Sequence, residues 1–296
     1  MEGALVISKD GLRLDLCSPG TYYRGTRFDW CGVFEAISWN GQEMSGQWFD
    51  SIDPYRHDNL SGCSEEFAPI WIDDKHCVKI GVGILYVPEG AESYDRFNPY
   101  ECIDMGEMTV EAHHDSVTFR HVLSGWYVYE KTITITGGKG FRIAHSLRWT
   151  CSYPEKTDCY NHNFFTFGKA VVGPSRLITF DSDIRGNWRP DSVKGYMEGK
   201  RLAFSQEMEA GEKCFIGDLE MTGDQSRGYS FSVQEGSIRV DVKCNAPMDH
   251  AVFWSNHRVA CVEPYVNLEL NPSRVNHWSI DYIFSLYLAE QTSSKC

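Results

Sequence analysis

The sequence predicts an all-β fold of the sandwich or barrel type. Short strand-like runs recur along nearly the whole chain, with turn signals roughly every eight to twelve residues. Helical periodicity sustained over three or more turns is hard to find. Aromatic residues, which favour strands, make up 14% of the 296 residues, with nine Trp and fifteen Tyr. Such rings also line sugar-binding clefts, because they stack on the C–H face of a pyranose.

The elements follow in order. Residues 4–7 and 12–16 are alternating runs split by Asp10-Gly11, a hairpin turn signal. Residues 39–100 read as an irregular, cleft-forming segment rich in Asp, Gly, Trp and Pro, too long for a plain connection and therefore a place to look for function. Residues 116–123 and 126–136 form the next strand pair, joined near Ser124-Gly125. In the second of these, Tyr127, Tyr129, Lys131, Ile133 and Ile135 share one face. After a turn at Gly137-Gly138-Lys139-Gly140 comes a strand over 141–150. Further strands are expected at 159–167, 176–180, 202–207, 229–233, 237–245, 250–255, 261–270 and 278–284. With no low-complexity linker and no repeat, residues 1–296 read as a single domain with a polar, frayed tail at 291–296.

Composition narrows the function. A net charge of −13 argues against nucleic acid and anionic membrane as partners, because phosphate contacts need clustered Lys and Arg. The N-terminus lacks a basic region followed by a long apolar run, so no secretory signal is expected. No apolar run approaches the ~20 residues that cross a bilayer. Eleven cysteines include no C-x-x-C pair, and free buried thiols in a reducing cytoplasm are the simplest account. The partner expected is a small molecule.

The most informative stretch is Tyr160-Asn161-His162-Asn163-Phe164-Phe165. On a strand, Asn161, Asn163 and Phe165 share one face and Tyr160, His162 and Phe164 the other. A histidine between aromatics in a half-buried wall must be hydrogen-bonded or charge-paired. A satisfied structural histidine is the plainer alternative. A second signal, Glu263 in Val262-Glu263-Pro264-Tyr265, places a carboxylate in another apolar run. Pro264 biases Glu263 to extended geometry and removes a ladder donor. A buried His and a buried Glu from distant strands suit acid–base chemistry on a neutral substrate.

Other candidates cluster in two places. Tyr22-Tyr23-Arg24-Gly25-Thr26-Arg27-Phe28-Asp29-Trp30 sets rigid donors and an acceptor beside aromatic rings, equally consistent with surface arginines lying over a Tyr/Trp cluster. Pro54-Tyr55-Arg56-His57-Asp58 and Glu65-Glu66 concentrate titratable groups in the irregular segment, with solvated loop charges as the alternative. His113-His114-Asp115 reads as a polar turn, because adjacent strand residues point to opposite faces. No metal and no cofactor are expected, and nucleophile-elbow and phosphate-loop motifs are absent.

These motifs together resemble the aldose 1-epimerase (galactose mutarotase-like) superfamily, over roughly residues 5–284. Lys131-Thr132-Ile133 through Leu147, followed by Asn161-His162-Asn163-Phe164-Phe165, is similar to its paired strands leading to an N-H-x-x-F motif. Val262-Glu263-Pro264 is similar to its late strand, and Trp278 to Phe284 to its closing W-x-x-x-Y-x-F strand. The resemblance implies a large antiparallel β supersandwich. It implies interconversion of sugar anomers, with His162 as general acid and Glu263 as general base. Tyr23, Arg24, Arg27, Asp29, Trp30, His57 and Asn161 are the residues expected to bind or orient the sugar. The chain departs from the family in lacking an N-x-x-H-G-G segment, whose role would fall to His57 or Arg27. It also carries Asn271-Pro272-Ser273 in place of a P-G-E turn, and Trp149-Thr150-Cys151 where N-T-G is common. Such changes leave room for the same pair to serve isomerisation, elimination or cyclisation of a non-sugar metabolite, or for a non-catalytic carbohydrate-binding protein.

Overall fold

Strands account for almost all regular structure in the computed structural model, which describes residues 4–287. The tail expected at 291–296 lies outside the described residues. The strands are, in chain order, β1 (Ala4–Lys9), β2 (Leu12–Cys17), β3 (Phe34–Trp39), β4 (Gln42–Ser45), β5 (Gly62–Phe67), β6 (Ile70–Trp71), β7 (His76–Lys79) and β8 (Gly83–Tyr86). They continue with β9 (Glu101–Asp104), β10 (Glu107–Ala112), β11 (Ser116–Leu123), β12 (Tyr127–Ile135), β13 (Gly140–Trp149), β14 (Glu155–Phe164), β15 (Arg176–Phe180) and β16 (Ile184–Arg185). The last eight are β17 (Gly195–Glu198), β18 (Arg201–Phe204), β19 (Lys213–Met221), β20 (Tyr229–Glu235), β21 (Ile238–Cys244), β22 (Ala251–Asn256), β23 (Ala260–Leu270) and β24 (Val275–Leu286).

Two large antiparallel sheets dominate. One has ten strands in the order β10-β11-β12-β13-β24-β21-β20-β15-β18-β17, the other six in the order β16-β19-β22-β23-β14-β5. Two four-stranded sheets, β1 to β4 and β6 to β9, complete the molecule. The main core lies between the large sheets and joins Tyr129, Ile133, Ile143 and Tyr282 of the first to Cys63, Cys159, Phe253 and Val262 of the second. On β12 burial alternates without a break, so Lys131 faces the core with Tyr127, Tyr129, Ile133 and Ile135.

The six-stranded sheet is buried on both faces around β5, β14 and β23. Its second face carries Tyr160, Phe164, Cys261 and Tyr265, which pack against Tyr23, Phe28, Trp30 and Leu85 in a separate apolar cluster. The region expected to be irregular over 39–100 is therefore corrected in part. It holds β4 to β8, and β5 is a fully buried strand paired along β14, with Glu65 and Glu66 inside it. Gly62 opens β5 at φ +71, and a Cβ there would lie 2.5 Å from Cβ of Phe34, so only glycine fits.

The ten cysteines among the described residues are all free. No helix among these residues is long and apolar enough to cross a membrane.

Candidate acid–base site

The β14–β23 ladder sets the centre of the site. Its pairing runs from Glu155 opposite Leu270 to Tyr160 opposite Tyr265. Two residues further along β14 stands His162, and two residues back along β23 stands Glu263, so the register puts them opposite each other. Between them Pro264 has no N–H with which to extend the ladder. Side-chain bonds hold the strands together instead. Nδ2 of Asn163 donates to Val262 O at 3.2 Å and to Asn161 O at 3.3 Å, and its Oδ1 accepts from Tyr282 OH at 3.0 Å.

On the outer face the pair meets. Nε2 of His162 is 3.1 Å from Oε1 of Glu263, and the side chains are only 4% and 6% exposed. The imidazole stacks on Phe164 at 3.9 Å and 6°, and meets the rings of Phe28 and Trp254 edge-on at 5.9 and 6.0 Å. Phe164 in turn stacks on Trp48 at 5.4 Å. Ser64 of β5 lies opposite His162 on β14's other side. Its Oγ and Nδ1 of His162 are both buried without a hydrogen-bond partner among the described residues.

Both members of the pair line a cleft of about 610 Å³ together with Arg27, Trp48, His57, Arg96, Trp254 and Tyr265. Aromatic rings make the walls and charged groups stand among them, the usual composition of a small-molecule site. His57 packs edge-on against Phe97 at 5.0 Å. Burial lowers its pKa, Asp58 at 3.4 Å opposes that, and Arg27 and Arg56 add to the lowering.

Arg27 reaches the cleft from the segment between β2 and β3. Its Nε donates to Oε2 of Glu66 at 2.8 Å and its Nη2 to Tyr160 OH at 2.6 Å. Glu66 also receives Lys79 Nζ at 3.2 Å. Burial pushes the Glu66 carboxyl up, but Lys79, Arg27 and Arg96 outweigh it and hold the pKa at about 2.

The remaining candidates lie elsewhere. Asp29 is buried between the sheets, accepting from Tyr129 OH and Lys131 Nζ, both at 3.0 Å. Asn161 faces the same core, where it bonds Glu65 at 2.9 Å and Tyr282 OH at 2.7 Å. Tyr23 is buried with its OH on the carbonyl of His57 at 3.1 Å, and Nε1 of Trp30 donates to Gly25 O at 2.8 Å. Arg24 is exposed and donates to Gly20 O at 2.9 Å. None of these five lines the cleft. His113, His114 and Asp115 lie between β10 and β11.

Arg96, Phe97, Trp48, Trp254 and Tyr265 were not singled out by sequence. Tyr265 was the most legible, two positions after Glu263 on a strand and hence on the same face. Trp254 needs the β22 register, in which it faces Cys261. Arg96 sits in a loop with no local motif.

In sequence the chain matches no family model and no curated protein. In structure it is similar to the GalM/aldose epimerase homologue of C. elegans, with a TM-score of 0.59 and 14% identity, covering 97% of this chain and 99% of that one. It is similar to a galactose mutarotase-like protein from Lactobacillus casei, at TM-score 0.57 and 11% identity over 96% and 100% of the two chains. A galactose mutarotase related enzyme from Lactobacillus acidophilus gives 0.56 and 11%, over 96% and 98%.

Proposed function

Starting from a chain that has the galactose mutarotase-like fold, we propose that it is an aldose 1-epimerase-like enzyme that interconverts sugar anomers, with Glu263 and His162 as its base and acid. The observation that carries this reading is the 3.1 Å approach of Nε2 of His162 to Oε1 of Glu263 in the wall of a shared cleft. Opening an aldose ring requires the C1 hydroxyl to lose a proton while the ring oxygen gains one. Those two oxygens are bonded to one carbon, so an acid and a base side by side on adjacent strands can address both. Glu263 takes the hydroxyl proton and imidazolium His162 gives one to the ring oxygen. Rotation about C1–C2 and reclosure with the proton flow reversed yield the other anomer. The net change is zero in atoms, charge and oxidation state.

The surrounding residues suit the same task. Phe164, Phe28 and Trp254 confine the imidazole, and Trp48 offers ring surface to a sugar. His57 and Arg27 are the donors placed to orient hydroxyls. Each positioned acid or base typically contributes ~10²–10⁴-fold. Anomer exchange of glucose, galactose and related aldoses followed by NMR tests the proposal. We expect exchange in the wild type and a loss of about a hundredfold or more in both His162→Ala and Glu263→Gln. A folded wild type that exchanges no aldose would overturn mutarotation and leave the pair to proton transfer on another substrate.

A further inference from the structure

Two polar atoms beside the acid–base pair lack partners of their own. Nδ1 of His162 and Oγ of Ser64 are both buried without a hydrogen bond among the described residues. Their residues stand opposite each other, His162 on β14 and Ser64 on β5. Residues paired in this way across antiparallel strands share a face, with Cβ atoms about 4.5–5.5 Å apart. Alternation along β5 agrees. Cys63 and Glu65 face the inter-sheet core, so Ser64 and Glu66 belong to the outer face, where Glu66 meets Tyr160.

The two nitrogens of His162 are not equivalent. β14 runs between β23 and β5, and Nε2 is taken up by Glu263 of β23 at 3.1 Å. The lone directions of an imidazole diverge, so Nδ1 is turned away from Glu263. Rings of Phe164, Phe28 and Tyr160 surround the imidazole at 3.9, 5.9 and 6.3 Å. With His162 3% and Ser64 2% exposed, bulk water does not serve these atoms. Each orphaned polar atom is costly, and one contact between them removes both costs. Turning Ser64 about its Cα–Cβ bond carries Oγ through its staggered positions without moving the strand.

We propose that Ser64 is a positioning residue for His162, its Oγ accepting a hydrogen bond from Nδ1–H while Nε2 carries the working proton. This rests on the acid role proposed for His162 above. As imidazolium, His162 has a proton on each nitrogen. Nε2 gives its own to the ring oxygen of the sugar and takes it back on reclosure. Nδ1 keeps its proton throughout, and the bond to Ser64 holds the ring in place for that return. No proton passes through Ser64. A bond from a charged imidazolium is of the stronger, charge-assisted kind, and the partner of one ring nitrogen decides which nitrogen does the chemistry.

NMR of protein carrying isotope-labelled histidine reads the two ring nitrogens separately in the free protein, with His162→Ala identifying the signals. Ser64→Ala and Ser64→Cys are compared with the wild type. The thiol keeps the size of the side chain but hydrogen-bonds weakly, and it supplies the readout if the alanine variant does not fold. We expect the Nδ1 signal to move in both variants by more than that of Nε2, which Glu263 still holds. Anomer exchange should slow about tenfold or more. Sugar affinity by NMR titration should stay at the wild-type value, because Ser64 does not line the cleft. A serine that only fills space would leave Nδ1 unmoved, and that result overturns the inference, as does exchange undiminished in both variants. Should the wild type exchange no aldose, mutarotation is removed and the Nδ1 signal alone upholds or overturns the Ser64 contact. Wild-type exchange with Nδ1 unmoved does the reverse, removing Ser64 and leaving mutarotation standing.

Discussion

Glu66 is the single side chain on which the cleft floor most depends. It balances Arg27, Lys79 and Arg96 and accepts the hydrogen bond that Tyr160 OH donates. Glu66→Gln removes the carboxylate and leaves its cations facing one another. Loss of one partner from a buried ion pair typically costs about 3–5 kcal/mol, and we expect that range in denaturant unfolding. The pH dependence follows from the depressed pKa of about 2. A carboxyl held below its unfolded value of about 4.3 stabilises the fold fully above that value. The contribution is lost as pH falls from there toward about 2. Wild-type melting temperature should therefore drop steeply in that window, and the variant, less stable above it, should show a shallower decline. An equally steep decline in the variant would count against Glu66 as the cause. Its neighbour Glu65, held at about 2 against the push of burial by Lys131 and His145, adds slope of its own in the same window.

Among the elements, β12 and β5 mark the limits of what the sequence discloses. The residues of β12 alternate strictly, and the expectation for 126–136 matches Tyr127–Ile135 to within a residue. Even Lys131 was placed on its correct face by period alone. On β14 the same rule put His162 with Tyr160 and Phe164, and the structure agrees. Gly62–Phe67 defeats pattern reading because both of its faces are buried and two of its core side chains are glutamates. Charge normally signals solvent, and only cations supplied by distant strands make it otherwise here. Lys213–Met221 does not read as a strand in sequence because two consecutive exposed residues, Gly217 and Asp218, break its alternation where the register against β22 shifts. The pairing of His162 with Glu263 was legible as two suggestive residues, but their register was not. That register is held past Pro264 by Asn163. Asn163→Ala should cost about 1–3 kcal/mol by leaving buried partners unpaired. It should also lower the anomer-exchange rate more than it weakens sugar binding, because the catalytic spacing loosens while the cleft wall stays. Denaturant unfolding and exchange kinetics measure the two effects separately.

Across the whole molecule, the segment between β2 and β3 ties the cleft to the large sheet. Arg27 reaches outward to Glu66, and two residues later Asp29 reaches inward to Tyr129 and Lys131 of β12. Lys131 also pairs with Glu65, the chain neighbour of Glu66, so the inter-sheet core and the cleft floor are linked through adjacent residues of β5. Asp29→Asn should destabilise the protein by about 3–5 kcal/mol, since it strips a carboxylate from a buried lysine. It should weaken ligand binding too, although Asp29 does not line the cleft, because the segment that carries Arg27 loses an anchor two residues away. Calorimetric melting paired with NMR titration checks both. An unfolding loss with unchanged affinity would show that Arg27 is positioned from the Glu66 side alone.

Glu65 and Glu66 are joined by one peptide bond and serve opposite sides of the same strand. The arrangement has no tolerance for slippage. Shifting β5 by one residue along β14 would hand one glutamate to the other's cations, carry the second away from both sets, and trade Ser64 for a neighbour beside His162. A single inserted or deleted codon there would thus scramble interior and cleft wall together, whereas a comparable change in the loop before Gly62 would leave both partnerships intact.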